Sequence, residues 1–174
     1  MVANPPPNIL LITTDQQRAD TIAALGNPQI ETPNLDRLVA EGTAFTRCYT
    51  PSPVCVPARH ALATGLPPHK INCFDNGVDE MPFTSLMERL QANGYQTHGV
   101  GKMHFSPDPW RTWGFESRDT SEEIQPIMSE NDDFCRFLRD NGFDHVKEPH
   151  GVRSEMYYLP QPSQLPERLH NTTW

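Results

Sequence analysis

The sequence predicts an α/β fold in which a largely parallel sheet is flanked by helices. Two observations carry that expectation. Apolar runs of strand length alternate along the chain with segments of helical period, and nearly every helical segment is closed by a glycine. The 174 residues are enough for one domain with a sizeable core.

Residues 8–14 read as a buried strand. Ile9-Leu10-Leu11-Ile12 is continuously apolar, follows a proline-rich lead-in and runs into polar residues. A helix then starts with Thr32 as N-cap and Pro33 in its first turn; Leu35, Leu38 and Val39 share one face, and Gly42 stops it. Residues 43–49 read as a short strand. Residues 57–64 form a helix opened by Pro57 and closed at Gly65. The next helix sets Phe83, Leu86, Met87 and Leu90 at i, i+3, i+4 and i+7, with Gly94 as its stop, and residues 95–100 are the following strand. Residues 106–118, rich in Pro, Trp and Gly, read as an ordered loop in which Trp110 and Trp113 serve packing. Ser129 is expected to cap a further helix, with Phe134, Phe137 and Leu138 facing inward and Asn141-Gly142 at its end. A last helix is expected from near Pro166, with the chain stopping inside it at Trp174.

Composition narrows the function. Hydrophobic residues make up 36% and charged residues 21%, a globular rather than a disordered balance. The formal net charge of −8 argues against wholesale binding to nucleic acid or to an acidic membrane surface. It leaves room for a small anion held by local positive charge. Residues 1–7 lack a basic leader, and residues 9–12 are too few for a signal core or a membrane span, so the expected location is cytoplasmic. Cys48, Cys55, Cys73 and Cys135 have neither the CxxC spacing of a zinc site nor the density of a disulfide framework. Three read as ordinary thiols. Cys55 stands apart.

Three features carry chemistry. Asp15-Gln16 ends the first expected strand, where open α/β sheets bind ligands, and offers a carboxylate and an amide oxygen to a hard divalent cation. Cys55-Val56-Pro57-Ala58-Arg59 places a thiol and a guanidinium one helical turn apart. Lys102-Met103-His104 sets a point charge for an oxyanion and a proton-transfer group two residues apart, on the same side if the chain leaves its strand extended. His60 and His98 read as structural, and so does the His170–Trp174 pair. The sequon Asn171-Thr172-Thr173 reads as unused.

In this order and spacing the residues resemble the formylglycine-dependent sulfatases of the alkaline phosphatase superfamily. C-x-P-x-R followed by Ala61-Leu62-Ala63-Thr64-Gly65 is similar to their first signature, and Gly94-Tyr95-x-Thr97-x-x-x-Gly101-Lys102-x-His104 to their second. The stretch 31–38 is similar as well. The resemblance implies an alkaline-phosphatase-like sulfatase domain, of which residues 1–174 would be the amino-terminal portion. It implies that Cys55 is oxidised to formylglycine by a dedicated generating enzyme and that Arg59 supports it. Lys102 and His104 would act in catalysis and substrate binding. Asn76 would be a substrate contact, and Asp15, Gln16 and Cys55 metal ligands, for Ca²⁺ in preference to Mg²⁺. A hydrated aldehyde has two hydroxyls on one carbon: one attacks sulfur, and the other collapses the sulfated intermediate.

The implied reaction is hydrolysis of a small anionic sulfate monoester. A phosphonate or phosphodiester monoesterase with the same nucleophile is the alternative, because Asp15-Gln16 stands where many sulfatases have two aspartates. The family's second pair of metal ligands lies beyond residue 174, so the chain alone is expected to be inactive. It would be completed by its own carboxyl-terminal part or assembled as a homo-oligomer. A non-catalytic module that binds sulfated ligands, or a non-catalytic fragment that needs a second chain, is the reading from another class.

Overall fold

The computed structural model describes residues 6–15, 17–122, 130–146, 149 and 165–170. The chain divides into two compact units, residues 1–49 and 50–174.

In the first unit, two short 3-10 turns, Ala19–Thr21 and Ala23–Leu25, precede helix α1, Pro33–Glu41. Thr32 and Pro33 start this helix as expected, yet the threonine is used sideways. Its Oγ1 accepts from Ala23 N at 2.9 Å and donates to Asp36 Oδ1 at 2.8 Å, while that same oxygen accepts from Ala24 N at 2.8 Å. The start of α1 thus satisfies the donors of the preceding turn. Gly42 ends α1, its N–H bonded to Leu38 O; a Cβ there would come within 2.9 Å of that oxygen. Leu35 and Val39 are half-buried and Leu38 is exposed.

The two strands expected in this unit are absent. Residues 8–14 and 43–49 carry no strand, and Ile9, Leu10, Leu11 and Ile12 are 60–84% exposed. An apolar run becomes a buried strand only when neighbours complete its ladder, and no described strand pairs with either segment.

The second unit holds helices α2, Cys55–Thr64, α3, Leu86–Ala92, and α4, Asp133–Asp140, with strands β1, His98–Gly101, and β2, Ser117–Thr120. The strands pair in parallel, His98 opposite Ser117 and Gly101 opposite Thr120. This parallel α/β arrangement is the expected class. β2 replaces the end of the expected loop.

α2 begins two residues earlier than Pro57 and closes at Gly65, which adopts φ +70°. α3 starts later than its apolar spacing suggests, because Ser85 forms a capping box with Glu88. Phe83 therefore lies outside the helix, where its carbonyl accepts from Trp113 Nε1 at 3.1 Å. Ser85 Oγ also donates to Trp113 O at 2.6 Å, which ties α3 to the loop before β2. Gly114, at φ +91°, is needed at that contact: a Cβ would sit 2.4 Å from Glu88 N.

α4 is capped by Asp132, whose Oδ1 accepts from Cys135 N at 2.9 Å, rather than by Ser129, which lies outside the described residues. Phe134 and Leu138 are fully buried, as expected, and Asn141-Gly142 ends the helix. Near Pro166 the chain makes only a short 3-10 turn, Glu167–Leu169; the remainder of the expected last helix, with the sequon and Trp174, lies outside the described residues.

One core cluster gathers Val56, Ile71, Met87, Phe105 and Trp113, and a second joins α4 to Val146, Leu165 and Leu169. No helix among the described residues is long and apolar enough to cross a membrane.

Candidate active site

The second unit joins four of the five expected residues it holds in two pairs, Cys55 with Asn76 and Arg59 with Lys102. Cys55 is the first residue of α2, half-buried, and its Sγ donates to Asn76 Oδ1 at 3.3 Å. That oxygen also accepts from Val56 N at 3.1 Å. Asn76 thereby satisfies a free donor at the start of α2 and stands directly against Cys55. It is presented by a turn in which Asp75 Oδ1 accepts from Gly77 N at 2.8 Å.

One helical turn along, Arg59 Nη1 donates to Lys102 O at 2.6 Å. The two sequence motifs are therefore joined by a direct bond. The chain does not leave β1 as a regular extended strand: Gly101 has φ +85° and His104 φ +50°, and Lys102 and His104 lie on the irregular segment that follows. Asp15 is exposed and belongs to the first unit, and Gln16 lies outside the described residues. Among the described residues no group of three or more His, Cys, Asp or Glu could hold a metal ion.

Two residues of this neighbourhood carry no role in the sequence reading. Glu122 is buried and accepts from Met103 N at 2.8 Å and from His104 N at 2.9 Å; its other partner is Arg118, at 2.7 Å. Nothing in Ser121-Glu122-Glu123 marks one carboxylate as internal. His60 is fully buried. The signal for it was present: Val56, His60 and Ala63 occupy i, i+4 and i+7, one buried stripe of α2. His98, by contrast, is an exposed strand residue bonded to Ser117 and Asp119, and Trp113 is a core residue, both as expected.

His60 anchors the chain just beyond this segment, at Ser106. Its Nε2 accepts from Ser106 N at 3.2 Å, so the neutral ring carries its proton on Nδ1, which faces Cys73 Sγ at 3.7 Å. Burial, then the charges of Arg111 and His104, lower its pKa to about 4. Burial, then Asp75, raises that of Cys73. A histidine lowered on folding stabilises the fold fully above its unfolded value, near 6.5. That contribution is lost as pH falls toward about 4. We expect the melting temperature to rise between pH 4 and 6.5, and to rise less steeply in His60→Asn. Identical slopes in the two proteins would contradict a neutral, buried His60.

Comparison with known proteins agrees with this geometry. The family model described as Sulfatase matches residues 7–164. An arylsulfatase of Clostridium perfringens is 29% identical over 97% of this chain and 37% of its own length. Arylsulfatase A of Bos taurus is 37% identical over 63% of this chain and 23% of its own length. The chain thus spans well under half of these relatives. Among solved structures, a phosphonate monoester hydrolase of Agrobacterium radiobacter superposes with a TM-score of 0.75 at 24% identity, over 97% of this chain and 36% of that one. That likeness shows the fold.

Proposed function

The chain belongs to the sulfatase family, and we propose that it supplies the nucleophile-bearing portion of a hydrolase that cleaves sulfate monoesters. The observation that carries this reading is the bond from Arg59 to the Lys102 carbonyl. It unites the two motifs beside Cys55, so the nucleophile, a cation and an imidazole belong to one neighbourhood. In this reading residues 1–174 are the amino-terminal part of a catalytic domain, completed by sequence such as the longer relatives possess.

Each residue has a distinct task. Cys55, at the start of α2, presents the reacting atom where the helix N-terminus favours an approaching anion. Asn76 orients it through the contact at 3.3 Å. Lys102 binds sulfate oxygens as a point charge, and His104 moves the proton of the reacting hydroxyl or of the departing alcohol. Arg59 fixes the Lys102 backbone.

Conversion of Cys55 to formylglycine would supply a hydroxyl nucleophile together with a second hydroxyl for release of sulfate. Asp15 and Gln16 offer hard oxygen donors that suit Ca²⁺. Asp15 can give up to two carboxylate oxygens and Gln16 one, against the roughly six to eight of a calcium shell, so such a site needs further donors. The bound ion would polarise the sulfuryl group.

The phosphonate monoester hydrolase fold favours one alternative, a phosphonate or phosphodiester monoesterase with the same nucleophile. Paired assays on the intact protein separate them. We expect kcat/KM for an aryl sulfate to exceed that for a phenyl phosphonate ester; the reverse order would replace sulfate by phosphonate in this reading.

A further inference from the structure

The Lys102–His104 segment has an internal anchor outside both sequence motifs. Glu122 and Arg118 form an ion pair at 2.7 Å with side chains 0% and 3% exposed. The carboxylate reaches past that pair to two successive backbone donors, Met103 N at 2.8 Å and His104 N at 2.9 and 3.1 Å. Successive N–H groups around a left-handed residue form a hollow that attracts an anion. Here a side chain of the protein fills it, and the +50° φ of His104 is held in place.

Glu122 is itself well placed for this. Its own N–H donates to Asp132 Oδ2 at 2.6 Å, and Asp132 caps α4. Arg118 comes from the middle of β2, and its Nη1 donates to the carbonyls of Pro109 and Arg111 at 2.9 and 2.7 Å. The far end of β2 is fixed too, since Thr120 N donates to Asp133 Oδ2 at 2.7 Å. A continuous set of buried polar contacts thus runs from the start of α4 through Glu122 to the backbone of Met103 and His104.

We infer that Glu122, braced by Arg118, is a positioning residue for the reaction proposed above, setting the backbone that presents Lys102 and His104. This inference rests on that reading of the two residues. Arg59 holds the segment by its Lys102 carbonyl, and Glu122 holds it by the two following N–H groups. Together they constrain the two peptide units that flank Met103, the Lys102–Met103 unit from both its carbonyl and its N–H. Glu122→Gln would place an amide donor or a weaker neutral acceptor against these N–H groups and leave Arg118 buried beside a neutral partner.

The test uses the intact protein, with Glu122→Gln and the double variant Glu122→Gln/Arg118→Met. We expect amide hydrogen exchange at Met103 and His104 to accelerate in both. kcat/KM for an aryl sulfate should fall by about 10- to 100-fold in both, the size that follows small misplacement of reacting groups. Removing the unpaired guanidinium should return the melting temperature of the double variant toward wild type without returning kcat/KM. Wild-type exchange at Met103 and His104 overturns the contact. Faster exchange with unchanged kcat/KM overturns the positioning role. Recovery of both stability and activity in the double variant overturns it too, because the pair would then serve stability alone. If Glu122→Gln does not fold, the double variant is read by the same criteria. An inactive wild-type protein would count against the proposed reaction, while the exchange result still decides whether Glu122 anchors the segment.

Discussion

Replacing Cys55 by alanine in the intact protein is expected to lower turnover of an aryl sulfate by about four orders of magnitude or more, the scale seen when a covalent nucleophile is lost. The fold should survive. Cys55 is half-buried, and the Val56 N–H that Asn76 caps is a backbone group which the substitution leaves in place. Melting temperature therefore serves as the control. Cys55→Ser is the more informative variant. A serine keeps one hydroxyl, so it can take up the sulfuryl group once but has no second hydroxyl with which to expel it. Expected is a burst of alcohol not exceeding one equivalent, with the sulfate retained on the peptide that contains residue 55. Sustained turnover by either variant would remove Cys55 from the reaction.

The second large effect is expected at His104. Alanine is a poor substitute there, because φ is +50° and a residue with an ordinary Cβ and no local hydrogen bond resists that conformation. Asparagine tolerates it and removes the imidazole. We expect His104→Asn to lower kcat by about 10²- to 10⁴-fold, the usual worth of a positioned proton-transfer group. One limb of the pH–rate profile should disappear with it, and the melting temperature should stay near wild type. An unchanged pH profile in an active His104→Asn protein would assign the proton transfer elsewhere.

The motifs and the helices were legible in the sequence because their signals are local. Gly65 and Gly94 mark turns through their positive φ, and the Cys55 to Arg59 spacing is one turn of whatever helix contains it. Strands were less legible. The run Ile9-Leu10-Leu11-Ile12 has strand composition, but pairing is a property of neighbours, and residues 8–14 have no described partner. β2 was missed for the opposite reason. Ser117-Arg118-Asp119-Thr120 has no apolar alternation, and its place beside β1 comes from backbone pairing and from side chains that bond inward.

In the site, residue identity announced the reacting groups and stayed silent about their supports. Glu122 is one of two adjacent glutamates, and nothing in the local sequence marks it as enclosed. His60 was visible as part of a buried stripe, yet its bond to Ser106 N spans 46 positions, and no local pattern reports a contact of that length. The Lys102 to His104 stretch was expected to be extended, yet His104 takes φ +50° and the N–H groups of Met103 and His104 meet the Glu122 carboxylate, a partner that the local sequence does not contain.

In the 174 residues taken by themselves, well under half the length of the relatives they match, the uncovered run at residues 9–12 also has a colloidal consequence. Four consecutive aliphatic side chains, 60–84% exposed and free of charge or proline, can adhere to the same run on another molecule through strand-like pairing. Pro6 and Pro7 interrupt such pairing on one side and Asp15 adds charge on the other, so the adhesive stretch is short. Association of this kind grows with the square of concentration, whereas folding of a single chain does not depend on it. Dilution and cooling, which weakens apolar adhesion, are therefore the conditions under which this chain stays dispersed.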